Sequence, residues 1–219
     1  MIGTTSALQG AITNNATVEF NQSTTGSYAG VMSGTGNLIK DGSGTVTLTA
    51  TNTYTGGTVM SGGTVSIGAN NNLGGNSSIY FDGGALLVTN GFSTSRNVTM
   101  TGAGEIGVVS GQTFTETGTF SGTGGLTKSN SGTLVLSGTN TYSGGTTFAG
   151  GTLQVAADSN LGSGDLTFNG GTLALTSSAL TAKNVSMAGA GTIDVASFQN
   201  LTATGVISGT GALTKTGAG

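Results

Sequence analysis

Eight carboxylates, Glu19, Asp41, Asp82, Glu105, Glu116, Asp158, Asp165 and Asp194, are the chain's only acids. Two carboxyls roughly 5–9.5 Å apart can cleave a glycosidic bond, one protonating the leaving oxygen while the other attacks or activates water. Asp82 and Glu105, 23 residues apart, come nearest to a pair that successive turns of a regularly wound chain could bring together. Histidine and cysteine are absent, which removes the commonest general base and the most reactive nucleophile. Gly162-Ser163-Gly164-Asp165 is similar to a calcium-binding nonapeptide, but that site needs an Asp on every turn and here the string occurs once. Gly102-Ala103-Gly104 and Gly122-Thr123-Gly124 have the glycines of a phosphate cradle without the Gly-Lys-Ser/Thr and helix that complete one. Four tyrosines remain. Tyr54 and Tyr142 stand in the same N-T-Y-[TS]-G-G string, where architectural packing is favoured over stacking on a sugar, and Tyr28 and Tyr80 have no counterpart. No catalytic, cofactor-binding or metal-ligating residue is assigned, and Tyr28, Tyr80, Tyr54 and Tyr142 are the candidate surface contacts.

The elements that would position these side chains are strands. Glycine supplies 43 of 219 residues, proline and tryptophan are absent, and 13 charged residues leave a net charge of −3. Thr, Ser and Asn carry the polarity, so the chain lacks the charge and proline that keep disordered segments solvated. Glycine interrupts almost every window of ten residues, which disfavours helix. Alternating pairs such as Val46/Leu48, Val65/Ile67, Leu86/Val88 and Ile106/Val108 read as strands with one buried face. No basic patch invites nucleic acid. The longest apolar run, Ala85–Val88, is far short of the ~18 residues of a membrane-spanning helix. The opening MIGTTSALQG lacks the pattern of a signal peptide, so targeting and anchoring parts are expected outside this sequence.

Self-similarity sets the larger organisation. The 42 residues from Gly34 match those from Gly122 at 23 positions without a gap, an offset of 88, and a third copy opens at Gly209. Residues 1–33 read as a partial copy, 34–121 and 122–208 as full copies, and 209–219 as the start of another, all within a single solenoid domain spanning 1–219. The alternating pairs recur about every 20 residues, which suits an all-β parallel β-helix of about ten coils stacked ~4.8 Å apart. Four coils of roughly 22 residues would fill one unit. Gly-Gly pairs at 56–57, 62–63, 83–84, 144–145, 150–151 and 170–171, with Asn52, Asn97, Asn140 and Asn184, are expected to supply positive-φ corners. All five cations fall at two positions of the unit: Lys40, Lys128 and Lys215 at one, Arg96 and Lys183 at the other. Four coils would hold equivalent cations ~19 Å apart, beyond the ~8 Å screening length.

The string G-T-G-x-L-x-K…S-G-T-[VL]-x-L…N-T-Y-[TS]-G-G-T…G-G-T-[VL] resembles the passenger-associated β-strand repeats of autotransporter proteins. It is carried by Gly34 to Lys40, Ser43 to Leu48, Asn52 to Thr58 and Gly62 to Val65, and by their counterparts at 122–128, 131–136, 140–146 and 150–153. The resemblance implies a right-handed parallel β-helix displayed on the surface of a Gram-negative bacterium, tethered through an outer-membrane barrel outside this sequence. The expected role is a structural stalk or spacer supporting an adhesive or effector region. The alternative is an adhesion or self-association module, contacting host glycans or identical chains through solenoid sides or ends. A polysaccharide-degrading enzyme ranks third. No enzymatic activity, cofactor, nucleic-acid partner or membrane insertion of this segment is expected.

Overall fold

Alternation of apolar and Thr/Ser positions, broken every few residues by glycine, leaves short extended segments joined by corners. A computed structural model describes residues 1–219 and contains 28 strands, each of two to five residues, and two four-residue 3-10 turns, Asn70–Leu73 and Asp158–Leu161. Every strand pair is parallel. The strands stack into three long sheets of seven, ten and seven strands, with two short two-stranded sheets. The chain visits three faces in turn, advancing one rung each time it completes a circuit. The first face begins with Ile2–Gly3, Thr17–Asn21 and Asn37–Asp41, the second with Gly26–Tyr28 and Thr45–Leu48, and the third holds Phe92–Thr94 to Leu213–Thr216. The molecule is a parallel β-solenoid.

Side chains alternate across each strand, so every second residue enters a common interior. On the second face Val46, Val65, Leu86 and Ile106 lie in register; on the third, Phe114, Leu134, Leu153, Leu173 and Ile193 do the same. Thirty-eight buried apolar residues form one cluster along the axis. Thr113, Thr133, Thr152, Thr172, Thr192 and Thr214 make an unbroken column on the outside of the third face. Such like-on-like stacking favours the parallel register, because a slip of one residue would send a whole inner column into solvent.

The repeat and the coil are out of step. Four circuits carry Leu38 through Thr58, Ile79 and Val98 to Phe120, a span of 82 residues. The sequence equivalent of Leu38 is Leu126, six residues further and on the second face. One repeat therefore contains thirteen face segments: eleven strands from Asn37–Asp41 to Phe120–Gly122, the turn Asn70–Leu73 and the segment 52–54. On a three-sided coil that is four and a third circuits, not four. Equivalent residues consequently move one face around the rod with each repeat. Lys40 lies on the first face, Lys128 on the second and Lys215 on the third. The four-coil spacing inferred from the offset is corrected accordingly, because the coils average nearer 20 residues than 22.

The corners divide the labour between glycine and asparagine. One member of each of the six Gly-Gly pairs has positive φ, for example Gly63 at 56° and Gly170 at 113°. Asn52, Asn97, Asn140 and Asn184 do not; Asn130 and Phe198 are the only non-glycine residues with positive φ. Asn52 instead accepts a bond from the Met32 amide at 2.8 Å and donates to the Asn72 carbonyl at 2.6 Å, and Asn140 repeats this with Phe120 and Asn160. The expectation that these asparagines adopt left-handed backbone is thus corrected: their side-chain amides tie one coil's corner to its neighbours.

Candidate functional site

Three of the four tyrosines face inward. Tyr54 and Tyr142 follow a buried Asn by two residues and so share its inward phase; both are fully buried. The hydroxyls lie 2.6 Å from the hydroxyls of Thr58 and Thr146, and burial pushes both phenols well above the ordinary tyrosine range. Gly74 and Gly162 close over these rings. At Gly162, with φ of 66°, a Cβ would come within 2.9 Å of the Tyr142 ring. Tyr28 pairs in register with the inner residue Leu48, donates to the Gly10 carbonyl at 2.6 Å, and packs 5.2 Å from Phe20. Tyr28, Tyr54 and Tyr142 are therefore corrected from surface contacts to core residues. Tyr80 alone presents part of its ring outside, lying over Gly57 of the preceding coil.

The candidate pair Asp82 and Glu105 is not brought together, whereas Glu19 and Asp41 both accept from the Asn21 side-chain amide, at 3.4 and 3.2 Å. Glu105 is in register with Ala85 and Thr127 and accepts a 2.5 Å bond from the Ser129 hydroxyl. Asp82 lies against Gly102, at a different station of the coil. Asp165 takes the backbone and side-chain N–H groups of Asn184 at 2.9 and 3.2 Å, and no three metal-ligating acids cluster anywhere. Gly122 and the other glycines of the phosphate-like strings stand in strands and corners, and the only helical elements have four residues.

The charged groups that do converge are inside the rod. Lys40 occupies an inner slot between Phe20 and Met60, and Lys128 one between Ile106 and Phe148. Each ammonium donates to three carbonyls: Lys40 to Asp41, Gly42 and Gly62 at 2.6, 2.7 and 3.3 Å, Lys128 to Ser129, Asn130 and Gly150 at 2.5, 2.9 and 3.2 Å. These carbonyls belong to tight corners that turn inward, away from water, and need a buried donor. Burial lowers both ammonium groups, Lys128 to about 8, while Asp41 partly offsets the effect at Lys40.

Arg96 performs a related task. Its guanidinium donates to the Asn70 side chain at 2.7 Å and to the carbonyls of Asn70, Gly74, Gly75 and Ser77, capping the 3-10 turn and the corner behind it. In the second copy Lys183 replaces Arg96 and Asp158 replaces Asn70, and the two form a 2.8 Å ion pair. The exchange is paired: five donors reaching neutral acceptors become one ammonium on one carboxylate. Glu116, also buried, accepts a 3.0 Å bond from the Gly118 amide, while its other oxygen has no partner. Burial pushes its carboxyl up to about 8, against the opposing pull of Gly118 and Arg96. Its counterpart in the second copy is Ala203, and Ala179 replaces Phe92; there a cavity of about 30 Å³ opens among Leu161, Phe168, Leu175 and Leu201.

Reading the cations by spacing misses that Lys40, Arg96 and Lys128 are internal. The signal was parity: Lys40 and Lys128 each follow an inward leucine, Leu38 and Leu126, by two residues.

The buried cations Lys40, Lys128 and Arg96 thus serve the solenoid's own corners. Residues 38–67 and 126–155 match the passenger-associated-transport-repeat family, so the chain carries two copies of that repeat, one in each long internal unit. The two matches and the parallel solenoid agree with an autotransporter passenger repeat. No curated protein and no solved structure gives a match. No helix is long and apolar enough to cross a membrane.

Proposed function

We propose that this segment is a rigid spacer within an exported passenger, supporting an adhesive or effector region at the outer surface of a Gram-negative cell, and that it catalyses no reaction. The carrying observation is the uninterrupted stack: the second face runs through ten strands across both repeats without a break in register. The buried Lys40, Lys128 and Arg96 are engaged with the carbonyls of the solenoid's own corners. The matched repeat supports the extracellular setting, since passengers are the exported parts of autotransporters.

The test is length. Removing residues 34–121 from the displayed passenger takes out four and a third coils, about 21 Å at 4.8 Å per rung. Reach of the distal region, measured by electron microscopy and by contact with a partner surface, should shorten by that amount, whereas substitutions on the outer Thr columns should leave it unchanged. Loss of contact on outer substitutions at unchanged length would instead favour adhesion by the segment itself.

A further inference from the structure

The outside of the first face carries three apolar side chains that the stack does not require. Ile39, Val59 and Tyr80 stand in register on successive rungs, each flanked by inward residues and each partly exposed. Their strands are the third to fifth of the seven in that sheet, with a strand on either side, so neither end of the chain creates the exposure. Their repeat equivalents are Thr127, Thr147 and Thr167, which form a column of the same kind on the second face. The inward neighbours keep their character between copies: Leu38 and Leu126, Met60 and Phe148, Phe81 and Phe168 are all buried. The second copy therefore completes the same stack with hydroxyls where the first has Ile, Val and Tyr. Leu87, between Ser66 and Gly107, and Val135, between Thr115 and Gln154, are single apolar residues on their columns, an ordinary feature of protein surfaces. Three in line make a stripe about 10 Å long at 4.8 Å per rung.

Charge changes in the same copy, beside the same stripe. Asp41 and Asp82 follow Ile39 and Tyr80 by two residues, and Asp82 is exposed and Asp41 partly so. Their equivalents are the neutral Ser129 and Asn169. No basic side chain answers these acids. Lys40, the only Lys or Arg in residues 1–95, turns its ammonium to interior carbonyls, the Met1 ammonium donates to the Thr17 carbonyl, and the chain's one ion pair is Lys183 with Asp158. This combination selects a partner. Branched aliphatic side chains give a sugar no flat ring to stack on, and Tyr80 alone would serve that purpose. A second copy would set acid against acid, because Lys215 is the only exposed Lys or Arg, and anionic lipid or nucleic acid would be repelled by the same carboxylates. Three rungs also fall well short of the roughly 800 Å² per partner of a stable interface between domains, a size that suits a short segment. We infer that the first face is a docking site for a short basic peptide segment, with apolar residues on Ile39, Val59 and Tyr80 and a Lys or Arg beside Asp41 or Asp82. An extended peptide alternating apolar and basic residues along one side matches the two-residue step from stripe to acids. This contact is additional to the spacer role.

The test is fluorescence polarisation on the whole chain with a labelled peptide, SLSKSLSKS, which presents Leu and Lys in turn along one side. Two controls, SLSESLSES and SSSKSSSKS, reverse the charge and remove the apolar groups. Wild type should bind the first peptide saturably, more tightly at low salt, and about fivefold or more above either control. The triple variant Ile39→Thr, Val59→Thr, Tyr80→Thr carries the second copy's residues; it should keep the wild-type circular dichroism and melting temperature and lose binding about fivefold or more. Tyr80→Thr alone repeats the comparison with the smallest change to the fold. Asp41→Ser with Asp82→Asn, again second-copy residues, should weaken binding about threefold and flatten its salt dependence. No saturable binding, equal binding of the glutamate peptide, or undiminished binding by the folded triple variant overturns the assignment. So does sedimentation of the free protein showing a dimer that the triple variant abolishes, which would make a second copy the occupant.

Discussion

Replacing Glu116 by Gln should stabilise the protein increasingly as the pH rises from 5 to 9. The folded carboxyl is raised from 4.5 to about 8, so the folded state holds a proton that the unfolded chain gives up earlier. Stability contributed by the protonated form is complete below about 4.5 and is lost as pH climbs through 8. At about 1.4 kcal/mol per pH unit the gap sets a ceiling near 5 kcal/mol. The raised value already includes the pull of Arg96 and the Gly118 amide toward the carboxylate, so a difference approaching about 5 kcal/mol between variant and wild type is expected at pH 9, shrinking to about zero at pH 4. Urea midpoints of the two proteins, followed by circular dichroism across that range, give the difference directly, and the remaining titrating groups cancel. Parallel midpoints would refute a neutral buried Glu116. Destabilisation by Gln at every pH would show that the carboxylate is ionised and engaged with Arg96 throughout.

Other interior groups make separate predictions. Lys128→Met retains the aliphatic stem but strands the carbonyls of Ser129, Asn130 and Gly150; a loss of about 3 kcal/mol at pH 7 is expected, with early proteolysis at that corner as the local readout. Wild type should also gain stability relative to this variant as pH rises from about 8 toward the ordinary lysine range, because the folded ammonium gives up its proton first. Converting the first-repeat pair to the second, Asn70→Asp with Arg96→Lys, should cost less than the sum of the two single changes, with a coupling of about 1–3 kcal/mol in a double-mutant cycle; additive losses would argue against the paired exchange. Tyr142→Phe removes the bond to Thr146 and should cost about 1 kcal/mol, seen as a lowered thermal midpoint.

Much of the fold was legible in the chain because a solenoid repeats its local rules. Val46/Leu48 and their successors show the inner phase, and the Gly-Gly pairs show the corners, without any long-range information. The circuit was harder to read. The 88-residue offset measures how often the sequence recurs, whereas coil closure depends on which rung each strand meets, and the pairing of Leu38 with Thr58 is a three-dimensional fact. The contact residues were misjudged for a chemical reason. Tyr, Lys and Glu are usually placed outside, but an all-parallel interior has carbonyls at its corners and tolerates a polar head that can reach them. Tyr28, Lys128 and Arg96 all do so.

The central claim is that the chain rises one rung per circuit with like residues in line. The outer column Thr113, Thr133, Thr152, Thr172 and Thr192 offers the most direct check, helped by the absence of native cysteine. Spin labels attached through Thr113→Cys paired in turn with cysteine at each later position should show backbone separations rising linearly, about 5, 10, 14 and 19 Å, at 4.8 Å per rung. Separations that plateau, or that shorten again with sequence distance as in an antiparallel sandwich, would contradict the solenoid.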